Sequence, residues 1–172
     1  MITKQITDLL NQQVNAELYS AYLYLSMSSY ASSAGLKGTA NWFFVQSQEE
    51  MTHAWRIYNY VTSRSQHVIL ESIDGPPVAF ESPTALFEGA LEHERKVTAM
   101  INNLSNEAVT AKDHATQVFL QWFVTEQIEE EENVSDVLAK MKLCGEGSGG
   151  LLLIDNELAT RVFVPPPDLT GV

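Results

Sequence analysis

The stretch TEQIEEEENV at residues 125–134 decides how this chain must fold. It places five carboxylates in ten positions, and such a run usually forms the solvated face of a helix, because glutamate is rarely buried without a partner. At about 100° per residue, however, the apolar Phe123 and Val134 lie within about 40° of Glu130 around the helix. Glu132 points about 160° away from Glu130. The run is therefore predicted to divide, with Glu130 facing the core and Glu132 facing solvent.

Length, charge and cysteine content limit the classes of protein that this chain can belong to. Its 172 residues predict one domain spanning residues 1–172. The net charge of -12 argues against nucleic acid, whose phosphates require a basic surface. No segment is apolar over the length of a membrane span, and the N-terminus lacks a signal core. The single cysteine, Cys144, excludes an internal disulfide. We therefore expect a soluble cytoplasmic protein that binds neither nucleic acid nor membrane.

Apolar residues recur every three or four positions in four long segments, which predicts an all-α protein. The turn residues Gly35 and Gly38 separate the first two helices, and Ser82 with Pro83 is typical of a helix start. A long segment without helical period separates the two helix pairs, which implies a four-helix bundle with one long crossover. The predicted boundaries are about 3–143 for the bundle, 66–82 for the crossover, 149–162 for a short fifth helix and 163–172 for an extended tail.

Each of the four predicted helices carries a glutamate near the middle of its apolar stripe, and one carries a histidine a turn later. These residues are Glu17, Glu50, His53, Glu94 and Glu130. Four unpaired carboxylates in one apolar core would be prohibitive, and the stripes contain no Lys or Arg to neutralise them. Carboxylate oxygens with one imidazole suit iron or manganese. The pattern therefore predicts a site for two metal ions with one bridging carboxylate.

These residues and their spacing resemble the ferritin family, most closely the haem-free bacterial and archaeal ferritins. The resemblance covers essentially the whole chain, through NAELYSAYLY (15–24), QEEMTHAWRIYNY (48–60), ALEHERKV (90–97) and FLQWFVTEQIEEEE (119–132). It implies one iron site formed by Glu17, Glu50 and His53. It implies a second formed by Glu50, Glu94 and Glu130, so that Glu50 bridges the two ions.

The same resemblance implies further residues around this pair of sites. Gln127 is a polar group beside the second site and counts among the candidate ligands. Tyr24, two turns from Glu17 on the same helix face, matches a tyrosine that can supply an electron. Bacterial ferritins often have a third iron site, whose ligands match Glu49, Glu126, Glu129 and Glu130.

The activity implied by the resemblance is iron storage with ferroxidase activity, in which dioxygen or hydrogen peroxide oxidises two Fe(II) per chain. The ferric mineral would then be stored inside a homo-oligomeric shell. The family assembles from 24 subunits, and 24 chains of 19.1 kDa would have a mass of about 460 kDa.

Related families differ from this sequence at identifiable positions. Bacterioferritins repeat E-x-x-H on the fourth helix, where this chain has Gln127 in place of the glutamate and Glu130 in place of the histidine. Met51 aligns with their haem-binding methionine, but haem is not expected. Mini-ferritins build their site between subunits, and rubrerythrin-like peroxidases carry cysteine pairs that the lone Cys144 cannot supply. A purely structural ferritin subunit would lack the glutamates on the stripes.

Overall fold

The computed structural model describes residues 2–145 and 148–166, and within these ranges the chain forms five α-helices. They are α1 (Lys4–Ser33), α2 (Lys37–Ser63), α3 (Pro83–Thr110), α4 (His114–Cys144) and α5 (Ser148–Leu158). Helix α1 packs along α2, and α3 packs along α4. The predicted all-α bundle with a short fifth helix is confirmed. None of these described helices has the length and apolar character that crossing a bilayer requires.

Local sequence sets the start of the third and fourth helices. The Ser82 hydroxyl accepts a hydrogen bond from the backbone N–H of Ala85 at 3.0 Å, and Pro83 occupies the first turn. The Asp113 carboxylate accepts from the N–H of Thr116 at 3.2 Å. Both side chains satisfy donors that a helix start leaves unpaired. The helix start at Ser82 and Pro83 is the one predicted from the sequence.

The crossover runs along α1 in the same direction as that helix. The Asn11 amide donates to the carbonyl of His67 at 3.4 Å, near the beginning of both segments. Farther on, the Ser26 hydroxyl donates to the carbonyl of Pro77 at 2.7 Å. Tyr30 then donates to the carbonyl of Phe80 at 2.5 Å. The crossover thus returns the chain to the end of the bundle where α2 begins, so α3 runs parallel to α2.

Helix α5 docks on the start of α2 through a buried carboxylate. Asp155 accepts from the backbone N–H groups of Gly38 at 3.0 Å and Thr39 at 2.7 Å. A side chain at Gly38 would place its Cβ 1.6 Å from the Asp155 carbonyl oxygen, so the close approach requires glycine.

The fifth helix is shorter than predicted, because it ends at Leu158 and not at residue 162. The Asn41 side-chain amide donates to the carbonyls of Leu158 at 3.3 Å and Arg161 at 2.9 Å. These contacts to α2 satisfy the helix end and turn the chain outward. Residues 161–166 have no regular secondary structure, and the rest of the predicted extended tail lies outside the described residues.

The apolar core consists of two clusters at opposite ends of the bundle. One is centred on Tyr24, Phe43 and Phe87, and the other on Leu10, Ile57 and other apolar side chains. A layer of buried polar side chains lies between them. The two clusters exclude water from both sides of this layer, so its chemistry takes place in a medium of low dielectric constant.

Candidate metal centre

The polar layer in the middle of the bundle contains the glutamate that each long helix carries on its apolar stripe, whereas Glu126, which the helical phase also turns inward, is only partly buried. Its members come from all four long helices and are between 1% and 4% exposed: Glu17, Glu50, His53, Glu94, Gln127 and Glu130. Glu132 is exposed. The burial predicted for the stripe glutamates is therefore confirmed, including the division of the acidic run on α4.

The first group of potential ligands joins α1 to α2. Ligand atoms of Glu17, Glu50 and His53 lie within 4.8 Å of one another. His53 Nδ1 is 3.5 Å from Glu50 Oε2, one helical turn away. Gln13 donates to Glu17 Oε1 at 2.8 Å, whereas Glu17 Oε2 is buried without a hydrogen-bond partner among the described residues. A buried carboxylate oxygen left in this way is suited to a cation.

The second group joins α2, α3 and α4. Ligand atoms of Glu50, Glu94 and Glu130 lie within 4.8 Å of one another, so Glu50 belongs to both groups. The Tyr24 hydroxyl donates to Glu94 Oε1. The Gln127 amide donates to Glu94 Oε2 at 3.3 Å. Tyr24 and Gln127 therefore orient Glu94 through hydrogen bonds and leave the carboxylates to face one another.

The predicted third iron site is brought together only in part. Ligand atoms of His53, Glu126 and Glu130 lie within 4.8 Å of one another, and His53 Nε2 is 3.8 Å from Glu126 Oε1. Glu129 is exposed and is not among these grouped ligands. Its position agrees with the helical phase, which places it about 100° from Glu130. Glu49 is partly buried, and its carboxylate forms an ion pair with Arg161.

Electrostatics in the layer oppose the coexistence of its charges when no cation is bound. Burial raises the pKa of Glu94 to about 7 and the pKa of Glu130 to about 8. Burial also raises the pKa of Glu17, and it raises that of Glu50 together with the nearby charge of Glu94. Burial acts to lower the pKa of His53, but the carboxylates around it outweigh burial and raise that pKa well above its usual value. The metal-free layer therefore favours protonated carboxyls, and divalent cations can replace those protons and stabilise the charged carboxylates.

Several neighbours of the layer were not assigned a role from the sequence. Gln46 donates to Glu50 Oε1 at 3.0 Å and to Glu130 Oε2 at 2.5 Å. Its position on the apolar stripe of α2 was a usable signal, because a glutamine there must find partners in the core. Gln13 and Arg161 gave no comparable signal.

His93 and Met51 lie outside the polar layer, and both are partly buried. His93 is partly buried, with Nε2 2.7 Å from the Ser20 hydroxyl. The covering side chains come from α1, which the phase of α3 alone cannot reveal. Met51 is half-buried on the α1–α2 face beside Leu18 and Tyr22, away from the carboxylates.

A four-helix bundle with a carboxylate and histidine cluster between two apolar ends defines the class of ferritin-like proteins. The family described as "Ferritin-like domain" matches residues 7–144. A bacterial non-heme ferritin of Campylobacter jejuni is 41% identical over 155 residues, which cover 90% of this chain and 93% of that protein. One of Bacteroides fragilis is 39% identical over 161 residues, which cover 94% of this chain and all of that protein. The chain belongs to the ferritin family of iron-storage proteins.

Solved structures agree with this assignment. The open-pore ferritin of the archaeon Archaeoglobus fulgidus is 47% identical, with a TM-score of 0.93 over 94% of this chain and all of that one. A humanized archaeal ferritin is also 47% identical, with a TM-score of 0.95 over 96% of this chain and all of that one.

Proposed function

We propose that this protein is a ferroxidase that oxidises two Fe(II) ions per chain and stores the product as ferric mineral inside an oligomeric shell. The substrates are Fe(II) and either dioxygen or hydrogen peroxide. The reaction takes place in the polar layer between the four long helices, with the mineral held in the interior of the assembly.

The observation that carries this proposal is the sharing of Glu50 between two groups of buried ligands. Glu50 lies with Glu17 and His53 on one side and with Glu94 and Glu130 on the other. One carboxylate has two oxygens, so it can bind one ion with each and hold the pair close together. Two ions held in this way can deliver two electrons to one oxidant molecule.

The electrons balance without any further reductant. Two Fe(II) ions lose two electrons in total and become two Fe(III) ions. These electrons, with two protons, reduce one dioxygen to hydrogen peroxide or one hydrogen peroxide to two waters. The carboxylates favour this direction, because anionic oxygen ligands stabilise the higher charge of Fe(III) more than that of Fe(II).

The protein residues around the ions have separate tasks in this scheme. Glu17, Glu50, Glu94, Glu130 and His53 are the proposed ligands. Gln46, Gln127 and Tyr24 hold those carboxylates by donating hydrogen bonds. Tyr24 is fully buried, so its hydrogen bond to Glu94 is shielded from water.

Self-association is supported by a large apolar face on α1 and α2. Tyr22, Leu25, Trp55 and Tyr58 are each between 42% and 49% exposed on these two helices. An aromatic surface of this kind is typical of a protein interface. The proposed assembly is the 24-subunit shell of the family, with a mass of about 460 kDa.

Anaerobic loading with Fe(II) followed by a pulse of oxygen tests the proposal. We expect a fast phase that saturates at about two Fe(II) per chain, then slower mineral growth in a particle of about 460 kDa. Stopped-flow absorbance and light scattering measure the two phases and the mass. Oxidation no faster than in buffer, or a protein that stays monomeric throughout, would refute it.

A further inference from the structure

Glu49, an expected ligand of the third iron site, is paired with an arginine from the chain segment after α5. Glu49 precedes Glu50 on α2, and its side chain is 26% exposed. Its carboxylate is paired with the guanidinium of Arg161, whose side chain is 19% exposed. A partly buried ion pair of this kind is shielded from solvent on most sides, so it is stronger than an exposed pair.

Three separate contacts hold Arg161 in place. Its guanidinium carbon lies 4.4 Å from the centre of the Trp42 ring, in a cation–π contact. Its Nη1 donates to the Trp42 carbonyl at 3.4 Å. Its own carbonyl accepts from the Asn41 amide at 2.9 Å. The charge that faces Glu49 is thus fixed to the first half of α2 by both its backbone and its side chain.

The Glu49 carboxylate also lies within electrostatic reach of a third group of potential ligands, formed by His53, Glu126 and Glu130. Its charge interacts with those of His53 and Glu126, two members of that group. Yet the ligand atoms that meet within 4.8 Å are those of His53, Glu126 and Glu130, without Glu49. Glu49 is therefore paired with Arg161 and stands apart from the ligand atoms of the third group.

We propose that Arg161 is a positioning residue that weakens the third cation site by holding Glu49 away from it. This inference rests on the proposed function, since it concerns a site beside the proposed iron pair. Weak binding there would let a cation pass through and leave the two central ions as the tighter pair. The contacts that fix Arg161 after the end of α5 would therefore also set the affinity of the third site for a cation.

Titration with Zn(II), which is redox-inert, tests the role of Arg161 apart from oxidation. Isothermal titration calorimetry on the assembled protein should show two tight sites per chain and a weaker third site. The substitution Arg161→Gln should tighten the third site about tenfold, because the freed carboxylate adds a charged ligand. Glu126→Ala should remove the third event, which assigns it to this group.

Two control variants separate the ion pair from its surroundings. Arg161→Gln combined with Glu49→Gln has the same summed charge at this pair as the native protein, and it should return the third site to native affinity. Asn156→Ala changes an exposed position on α5 and leaves the contacts of Arg161 in place, so it should change that affinity less than twofold. Light scattering and thermal unfolding check that every variant assembles.

Crystals of the Arg161→Gln variant grown with Zn(II) provide a direct readout. A Glu49 oxygen should lie at about 2.0–2.2 Å from the third ion, whereas in the native protein Glu49 should stay on Arg161. An unchanged third site in Arg161→Gln, or a gain that persists in the double variant, would overturn the inference. If the native protein does not bind two Zn(II) ions per chain tightly, that result would instead count against the proposed function.

Discussion

The side-chain amide of Gln46 lies 2.5 Å from Glu130 Oε2 and so connects α2 to α4 across the candidate metal centre. The same amide lies 3.0 Å from Glu50 Oε1. One uncharged donor thus orients the proposed bridging carboxylate and a proposed ligand of the second ion. Because the donor belongs to a buried residue, water cannot easily replace it.

Replacing Gln46 should therefore slow the fast phase of Fe(II) oxidation without removing it. In Gln46→Leu each of the two carboxylates loses a hydrogen bond from the neutral amide, and a hydrogen bond to a charged acceptor contributes about 1.5–3 kcal/mol. We expect a rate at least about tenfold lower, because about 1.4 kcal/mol corresponds to one power of ten. Stopped-flow absorbance after an oxygen pulse measures the rate. Gln48→Leu, outside the buried set of α2, is the matched control, and equal rates in both variants would contradict the assigned role.

A second prediction uses the two surfaces of the acidic run on α4. Glu130→Ala should abolish the fast phase, because it removes a ligand from the group that contains Glu50 and Glu94. Glu132→Ala should leave the fast phase within about twofold of native, since Glu132 is exposed. Both variants replace one glutamate of the same helix by alanine, so a difference between them reflects the position of the residue. Equal oxidation rates in the two would refute the assignment of Glu130.

Helical phase could predict the burial of the four stripe glutamates, although it also turns Glu126 inward and that residue is only partly buried. It separated Glu130 from Glu132, and it placed Glu129 on a flank where the structure finds it exposed. Long-range contacts could not be predicted in this way. Arg161 and Glu49 are 112 positions apart, and their pairing depends on where α5 ends and how it docks. The phase of α2 shows that Gln46 faces the core but not which carboxylate it meets.

A third prediction concerns pH. The pKa of Glu94 is raised to about 7 and that of Glu130 to about 8, above the ordinary value of 4.5. Between pH 4.5 and about 8 the folded, metal-free protein therefore binds more protons than the unfolded chain. Its stability should fall as pH rises through this window. Cations compete with those protons, so Zn(II) should stabilise the protein more at pH 8.5 than at pH 5.5.

Thermal unfolding of chelator-treated protein from pH 5 to pH 8.5, with and without Zn(II), measures this effect. The double variant Glu94→Gln, Glu130→Gln should show a shallower fall in Tm, because neither amide titrates. A metal-free Tm that rises across the window, or an unchanged slope in the double variant, would show that these carboxyls are not protonated in the folded state.

The last prediction tests how α5 is held, through Asp155. Its carboxylate accepts from Gly38 N at 3.0 Å, Thr39 N at 2.7 Å and the Thr39 hydroxyl at 2.9 Å, all at the start of α2. Asp155→Ala leaves these buried donors without an acceptor, and each unsatisfied donor costs about 1–3 kcal/mol. Asp155→Asn keeps an acceptor oxygen but loses the charge, so its cost should be smaller. The exposed Asn156 offers a matched control in Asn156→Ala. Hydrogen exchange at 148–158 should accelerate strongly in Asp155→Ala, weakly in Asp155→Asn and not in the control.

Because the contacts of Arg161 follow directly after α5, Asp155→Ala should also tighten the third Zn(II) site. If α5 exchanges faster while that site keeps its native affinity, the coupling between α5 and Glu49 is absent.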